Sequence, residues 1–499
     1  MMGTNKPQKE LFNYSVDLDK RVRPSNPLRR IKETIDFSFV REEVKSFYGY
    51  NGNESVDPEI IIKMMFLLFY DNIASERELM KIIPERLDYM WFVGYGLDDE
   101  VPDHSVLSKA RARWGNEVFE GLFVRIVTMC VQAGLVSGQK IHMDASLIDA
   151  NASKDSVIRG SREMVDKIRQ AYKSEVNKLD EAQELALGKR YNETVNDKAI
   201  SRTDPDAALV RRDGDSDLRY KNHRAVDDAN GVITAMTSTP GSVKENGQLL
   251  KLVKQHEDNT GIKVQTVVAD TQYGTAENYR SCQEQGIKTH MADMHEAQMD
   301  ISSREGIYPE SAFIYDNEKD CYYCPAGEIL NRRNHRLSKR ADEYAASSKT
   351  CMACKLRSLC TRARTTGRTI KRHFGYDLIQ AGRDQAHSYE AKRDRLRRKH
   401  LMEGSFADAA NNHGFKRARW RRLWRQQIQD YMIAVVQNVR ILIKNMDKPL
   451  KASIAAESFP LLSVIRHVLS CFAKINGLSR CLGRYQASLN QKSMEFCST

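Results

Sequence analysis

Val264-Gln-Thr-Val-Val-Ala-Asp270-Thr-Gln-Tyr-Gly-Thr-Ala-Glu-Asn278 decides how this chain is read. The run Val264 to Ala269 is rich in valine and reads as a short buried strand that ends in an acid. Thr275 follows as the N-cap of a helix opening at Ala276-Glu277-Asn278. Lys140-Ile-His-Met-Asp144 reads as another short strand ending in an acid. Between the two, Arg219 to Asp227 and Val232 to Thr239 flank Asn230-Gly231, which predicts a type I′ hairpin. Lys288 to Ala292 adds a further strand. These segments together predict an α/β fold, a mixed sheet of about five strands with helices against it.

Outward from this sheet the character changes on both sides. Residues 1–40 are polar and expected to be flexible. Residues 41–135 read as an all-helical domain, with Asp57-Pro58 as an N-cap and first-turn proline, and with Gly134 closing a helix that opens near Asn116. Asp103-His104-Ser105 begins a helix whose Lys109, Arg111 and Arg113 form a cationic stretch. The sheet region spans 138–304, with a charged helical insertion over 155–215. A loop-rich, basic, cysteine-bearing insertion covers 305–370, a basic helical region 371–445, and a tail 446–499.

A chain of 499 residues is long enough for more than one core. Its net charge of +12 points toward nucleic acid as partner. Met1 to Arg30 has no apolar signal segment, and the apolar runs Ile60 to Tyr70 and Leu461 to Ile475 carry charges and fall short of a span. A cytoplasmic, nucleoid-associated protein without membrane contact is therefore expected. Five of the ten cysteines cluster between Cys321 and Cys360, which in a reducing compartment argues for metal over disulfides. Cys321-x2-Cys324 and Cys351-x2-Cys354 are paired knuckles, and Cys360 is a fifth thiol for four places around a structural Zn²⁺.

Strand-end acids project into the crevice beyond a sheet, where sites form. A turn-initiating Asp is the commoner case for either Asp144 or Asp270 alone; two in one small sheet shift the balance. Glu403 lies in Lys392 to Arg425, a stretch with twelve Lys/Arg and three Asp/Glu, and its spacing alone favours a salt bridge. Three carboxylates suit in-line displacement at phosphorus, where two divalent ions ~3.5–4 Å apart clamp the attacking and leaving oxygens. The basic runs Lys392 to Lys399 and Lys416 to Arg425 would bind backbone phosphates. Trp420 and Trp424, one helical turn apart, either stack on an unpaired base or pack inside the protein.

Over about residues 10–445 the sequence resembles the bacterial insertion-sequence DDE transposases, the branch with an N-terminal helical domain and a cysteine-bearing insertion. The segments that carry the resemblance are Val101-Pro-Asp-His-Ser-Val-Leu-Ser108, His142-Met-Asp-Ala-Ser-Leu-Ile-Asp-Ala-Asn-Ala-Ser153 and Thr203-Asp-Pro-Asp-Ala207. Val267-Val-Ala-Asp-Thr-Gln-Tyr-Gly-Thr-Ala-Glu-Asn-Tyr279 is the most specific, followed by Met402-Glu-Gly-Ser-Phe406, Asn412-His-Gly-Phe-Lys-Arg-Ala-Arg-Trp-Arg421 and Gln437-Asn-Val-Arg-Ile-Leu442. The resemblance implies a ribonuclease-H-like mixed sheet with a zinc-binding insertion. It also implies Asp144, Asp270 and Glu403 as ligands of two Mg²⁺ (or Mn²⁺) ions. Asp149 is then structural, and Cys324, Cys351, Cys354 and Cys360 hold zinc, with Cys321 as the alternative.

The activity so implied is cutting of the terminal inverted repeats of its own element and joining of the 3′-hydroxyl ends to target DNA, by a homodimer on DNA. The expected DNA contacts are Lys109, Arg111, Arg113, Arg398, Lys399, Lys416, Arg417, Arg419, Trp420 and Arg421. Two departures stand out. Ala410 occupies the place of a lysine found in many relatives, so that phosphate contact is either missing or supplied elsewhere, by Lys416 or Arg417, and Gln272 replaces a glycine. The alternatives are a metal-dependent nuclease without strand transfer and a catalytically inactive zinc DNA-binding derivative. Intact acids at 144, 270 and 403 argue against the latter.

Overall fold

The computed structural model describes residue 2 and residues 17–49, 54–172, 196, 198–212, 214–294, 297, 306–337 and 340–446. The chain divides into two compact units, Met1–Pro449 and Leu450–Thr499, and the described residues lie in the first. Residues 173–195 of the expected insertion, and the expected tail beyond Met446, lie outside them.

A six-stranded mixed sheet forms the centre. It is built from β1 (Lys140–Asp149), β4 (Ala208–Arg212), β5 (Asp215–Asp227), β6 (Ile233–Pro240), β7 (Thr266–Val268) and β8 (Lys288–His290). β5 pairs antiparallel with β1, β4 and β6, whereas β7 lies parallel to both β1 and β8. The short pair β2 (Val157–Arg159) and β3 (Ala199–Ser201) closes the base of the insertion. β1 runs past Asp144 to Asp149, so Asp144 is a mid-strand residue rather than a terminal one. The expected type I′ hairpin is also corrected. Only Gly231 of the Asn230-Gly231 pair has positive φ, and Asp227 N–H bonds Val232 O across a four-residue loop. Asn230 instead donates its side-chain amide to Leu135 O.

Side chains alternate across β1. Ile141 and Met143 enter a core with Leu249, Leu252 and Val253 of α7 (Leu249–Thr260) and Tyr279 of α8 (Ala276–Glu284). The even-numbered side faces α10 (Tyr389–His413), which docks through three ion pairs. Lys140 meets Asp394 at 2.6 Å, Asp144 meets Arg398 at 2.6 Å, and Asp228, which also holds His142, meets Arg397 at 2.5 Å. α11 (Leu423–Asn445) lies on the same side. Asn438 bonds both the N–H and the C=O of Ile233, and buried Asp430 accepts from Asn222, Ser238 and Gln426. The Thr203–Ala207 motif caps this helix: Asp204 accepts from Arg422 N–H and Asp206 from Leu423 N–H.

The N-terminal helices α1 (Pro27–Thr34), α2 (Phe39–Val44), α3 (Pro58–Tyr70), α4 (Glu76–Glu85), α5 (Leu87–Val93) and α6 (Ser105–Gln132) share one apolar core with α11. Residues 17–40 belong to this core, correcting the expectation of flexibility there. Asn26 and Pro27 start α1, and its Leu28 and Ile31, three residues apart, are buried. Asp57 caps α3 as expected, and α6 bends at Gly115 just before Asn116.

Residues 305–370 were expected to be loop-rich, but 314–373 fold into a five-stranded antiparallel sheet. Its strands are β9 (Ile314–Asp316), β10 (Cys321–Tyr323), β11 (Ile329–Arg336), β12 (Ala341–Ala345) and β13 (Thr369–His373). Phe313, Tyr322, Leu330, Tyr344 and Ile370 form its core. α9 (Tyr376–His387) then leads back to α8 and β8. Among the described residues no helix is long and apolar enough to cross a membrane.

Arg111 fixes the helical layer to the rest. It is 3% exposed, pairs with Glu76 of α4, and lies 3.8 Å over the ring of Trp420, the residue chain that leads into α11. Removing it takes the buried guanidinium from the half-buried Glu76 carboxylate and from the Trp420 ring. Arg111→Ala should therefore cost about 3–5 kcal/mol of stability in urea unfolding of the full chain. A loss below about 1 kcal/mol, the range of a surface pair, would contradict this docking role.

Candidate metal centre

The site arises from register. In the parallel pairing of β1 with β7, His142 is level with Val268. Two residues further along each strand, Asp144 is level with Asp270, whose backbone is still extended at φ −79°, ψ −179°. Level residues on neighbouring strands face the same way, so the two carboxylates lie side by side just past the end of β7. A third acid joins them. Carboxylate oxygens of Asp144, Glu245 and Asp270 all lie within 4.8 Å of one another.

Each member is held from outside. Asp270 Oδ1 accepts from Gln272 N–H at 3.0 Å, and Asp144 Oδ1 from Ala145 N–H at 2.8 Å. Glu245 sits in the loop between β6 and α7. Lys221 of β5 secures that loop by donating to Val243 O and to Glu245 Oε1, both at 3.1 Å. Asn278 of α8 bridges to the Asp270 loop, donating to Asn246 O at 3.0 Å and to Tyr273 O at 2.8 Å. Gly274 admits no side chain, because a Cβ there would lie 1.9 Å from Ala292 O.

Two ionised carboxylates about 5 Å apart repel by about 3 kcal/mol at an effective dielectric near 20. Arg398 beside Asp144 and Lys221 beside Glu245 offset part of this. Burial first, then the charges of Asp144 and Glu245, push Asp270 up from 3.8 to about 6. The Tyr273 hydroxyl is fully buried, has no hydrogen-bond partner, and lies in the field of Glu245, Asp144 and Asp270. The donor set fits a hard divalent cation. Mg²⁺ binds hard oxygens at 2.0–2.1 Å, and three carboxylates with oxygens within 4.8 Å of one another can supply such ligands.

Glu403 is not in this group. It is exposed on α10, about 140° around the helix from Arg398, which faces Asp144. Asp149 pairs with Arg219 at 3.0 Å. Glu245 was missed by sequence reasoning. Its only signal is a lone acid in the polar loop Ser242-Val-Lys-Glu-Asn-Gly247. A second acidic group, His290, Glu390 and Asp394, already holds Lys140 at 2.6 Å from Asp394 and reads as an ion-pair network.

The expected DNA contacts divide. Lys109, Arg113, Lys399, Lys416, Arg417 and Arg421 are exposed. Lys416 Nζ donates to Ser146 Oγ at 2.7 Å, two residues along β1 from Asp144, so Arg398 and Lys416 flank the acids. Arg111, Arg419 and Trp420 are corrected as contacts in this structure, since each is spent on internal packing. Arg419 donates to Ile73 O and, at 2.8 Å, to Asn72 Oδ1, while Trp420 meets Phe69 edge-on and lies under Arg111. In the five-stranded sheet, Cys324, Cys351, Cys354 and Cys360 line one cavity, whereas Cys321 is buried in β10 and is not among its lining residues.

The raised Asp270 value gives a pH signature. Its folded value lies above the unfolded 3.8, so between about pH 4 and 6 the folded state binds more protons and stability falls as pH rises. Asp270→Asn should thus raise the melting temperature of metal-free protein at pH 8 by a few degrees, with the gain fading toward pH 4. A gain that is largest in acid would contradict the assignment.

Comparison with known families agrees with this architecture. Residues 16–113 match the family described as Transposase domain (DUF772), and residues 323–443 match the Transposase DDE domain. The first covers α1 to α5 and the start of α6, and the second β11 to β13 with α9, α10 and most of α11; neither span contains Asp144 or Asp270. No curated protein matches the chain.

Proposed function

This chain belongs to the insertion-sequence DDE transposases, and from that premise we propose that it cuts the terminal inverted repeats of its own element and joins the freed 3′-hydroxyl ends to target DNA. The family places it among DNA-binding polynucleotidyl transferases that use divalent metal. The observation that carries the finer reading is the pair Asp144 and Asp270, level on adjacent parallel strands and flanked by Arg398 and Lys416.

The reaction has two in-line displacements. Water attacks the phosphorus at the element end, a P–O bond forms, and the 3′ oxygen leaves and takes up a proton. That 3′-hydroxyl then attacks a target phosphodiester, and a target 3′ oxygen leaves, so phosphodiester number is conserved in the joining step. Mg²⁺ or Mn²⁺ ions bound here supply activation of the attacking oxygen and stabilisation of the leaving one. Asp144 and Asp270 hold them, and Glu403, assigned by the family pattern, completes the set in the DNA complex. Arg398, beside Asp144, would be free to meet a phosphate once Asp144 holds a cation, and Lys416 would provide the contact that Ala410 does not. Lys109, Arg113, Lys399, Arg417 and Arg421 add backbone charge, and two ends held together call for a homodimer on DNA. Beside the five-stranded sheet, a zinc ion on Cys324, Cys351, Cys354 and Cys360 would serve structure, with the four thiols lining one cavity as support.

Asp144→Asn, Asp270→Asn and Glu403→Gln should each abolish Mg²⁺-dependent cleavage of end DNA while DNA retention persists in gel shifts. Unchanged cleavage by the Asp270 variant would overturn the site. Joining of pre-cleaved ends to a plasmid separates a transposase from a simple nuclease. Metal analysis of the purified chain should find about one zinc per chain, lost in the Cys351→Ser, Cys354→Ser double variant. Equal zinc in both would contradict the zinc assignment.

A further inference from the structure

Resting on the transposase reading of this site, we propose that Glu245, rather than Glu403, is the third carboxylate of the divalent-metal site in the DNA-free protein, with the Tyr273 hydroxyl facing the bound cation's water shell. Three separate observations meet on this residue. Its oxygen lies within 4.8 Å of oxygens on both Asp144 and Asp270, whereas Glu403 is exposed on α10. Its loop is tied down from two sides, by Lys221 on Val243 O and by Asn278 between Asn246 O and Tyr273 O. Such positioning against like charge is hard to account for by the Lys221 pair alone, because that pair could form with the carboxylate turned away from Asp144 and Asp270.

The third observation is Tyr273. Its ring is buried, its Oη lacks a partner among the described residues, and it feels the charges of these same three carboxylates. A buried hydroxyl left without a hydrogen bond costs about 1–3 kcal/mol. Hydrated Mg²⁺ or Mn²⁺ keeps several waters when it binds carboxylates, and such a water satisfies the hydroxyl. The loops bearing Glu245 and Tyr273 share Asn278, so both groups are placed by one clamp. Lys221 then balances Glu245 when the site holds no cation, as Arg398 balances Asp144.

The test is Mn²⁺ binding to the full DNA-free chain, read from loss of the free-ion paramagnetic resonance signal. Asp270→Asn should abolish binding, and Glu245→Gln should weaken it at least about tenfold, the scale of losing a metal-site group. Glu403→Gln should stay within about twofold of the parent, well short of the roughly tenfold scale of losing a metal-site group. Glu245→Asp, which keeps the charge and shortens the reach, should fall between and replaces the Gln variant if that one does not fold. Parental Mn²⁺ affinity in Glu245→Gln, with binding lost in Asp270→Asn, would overturn the proposal and leave the transposase site standing. A loss in Glu403→Gln equal to that in Glu245→Gln would also overturn it, since the exposed glutamate would then be the third ligand. Binding intact in Asp270→Asn would overturn both.

Discussion

The parallel pairing of β1 with β7 is the constraint on which the site depends. β7 has three residues and stops at Val268, while β1 runs on to Asp149. That overhang leaves Asp144 beside an extended Asp270 with no strand between them and solvent on one side. A slip of one residue would send one carboxylate into the core of Ile141, Met143 and Val267. The buried alternation of Ile141 and Met143 on one face, with His142 and Asp144 on the other, enforces the register. Repulsion between the acids is then a built-in feature of the fold, offset in part by Arg398 and Lys221.

The cationic residues serve two purposes that charge alone does not separate. Arg224 is fully buried, bonds Asn222, Ser405 and Gln437, and packs against Phe406 and Phe415, so it joins β5 to α10 and α11. Arg111 and Arg419 likewise hold the N-terminal helices to the chain entering α11. The helical layer and the sheet therefore share one core, while Lys109, Arg113, Lys399, Lys416, Arg417 and Arg421 remain exposed.

Much of the central sheet was legible because its signals are local. Thr275 as a cap, the valine run before Asp270, and Asp57-Pro58 each act within a few residues. What was not legible depends on partners far away in sequence. β1 extends to Asp149 only because β5 pairs with it through Arg219. The five-stranded sheet was hidden because β9 and β10 have three residues each and β11 buries only Leu330. Arg111 looks like its neighbours Lys109 and Arg113, and only Glu76 and Trp420 distinguish it. Glu245 had no motif to mark it, and the rotation of α10 that leaves Glu403 exposed is set by the Lys140, Asp144 and Asp228 contacts.

The central claim is that Asp144 and Asp270 form a cation site for chemistry on DNA. Anomalous diffraction from a complex with pre-cleaved end DNA and Mn²⁺ tests it most directly. Manganese is expected between the Asp144 and Asp270 carboxylates, in contact with the phosphate next to the 3′ end. Manganese at His290 and Asp394 instead, or DNA bound with no metal at Asp144 and Asp270, would contradict it.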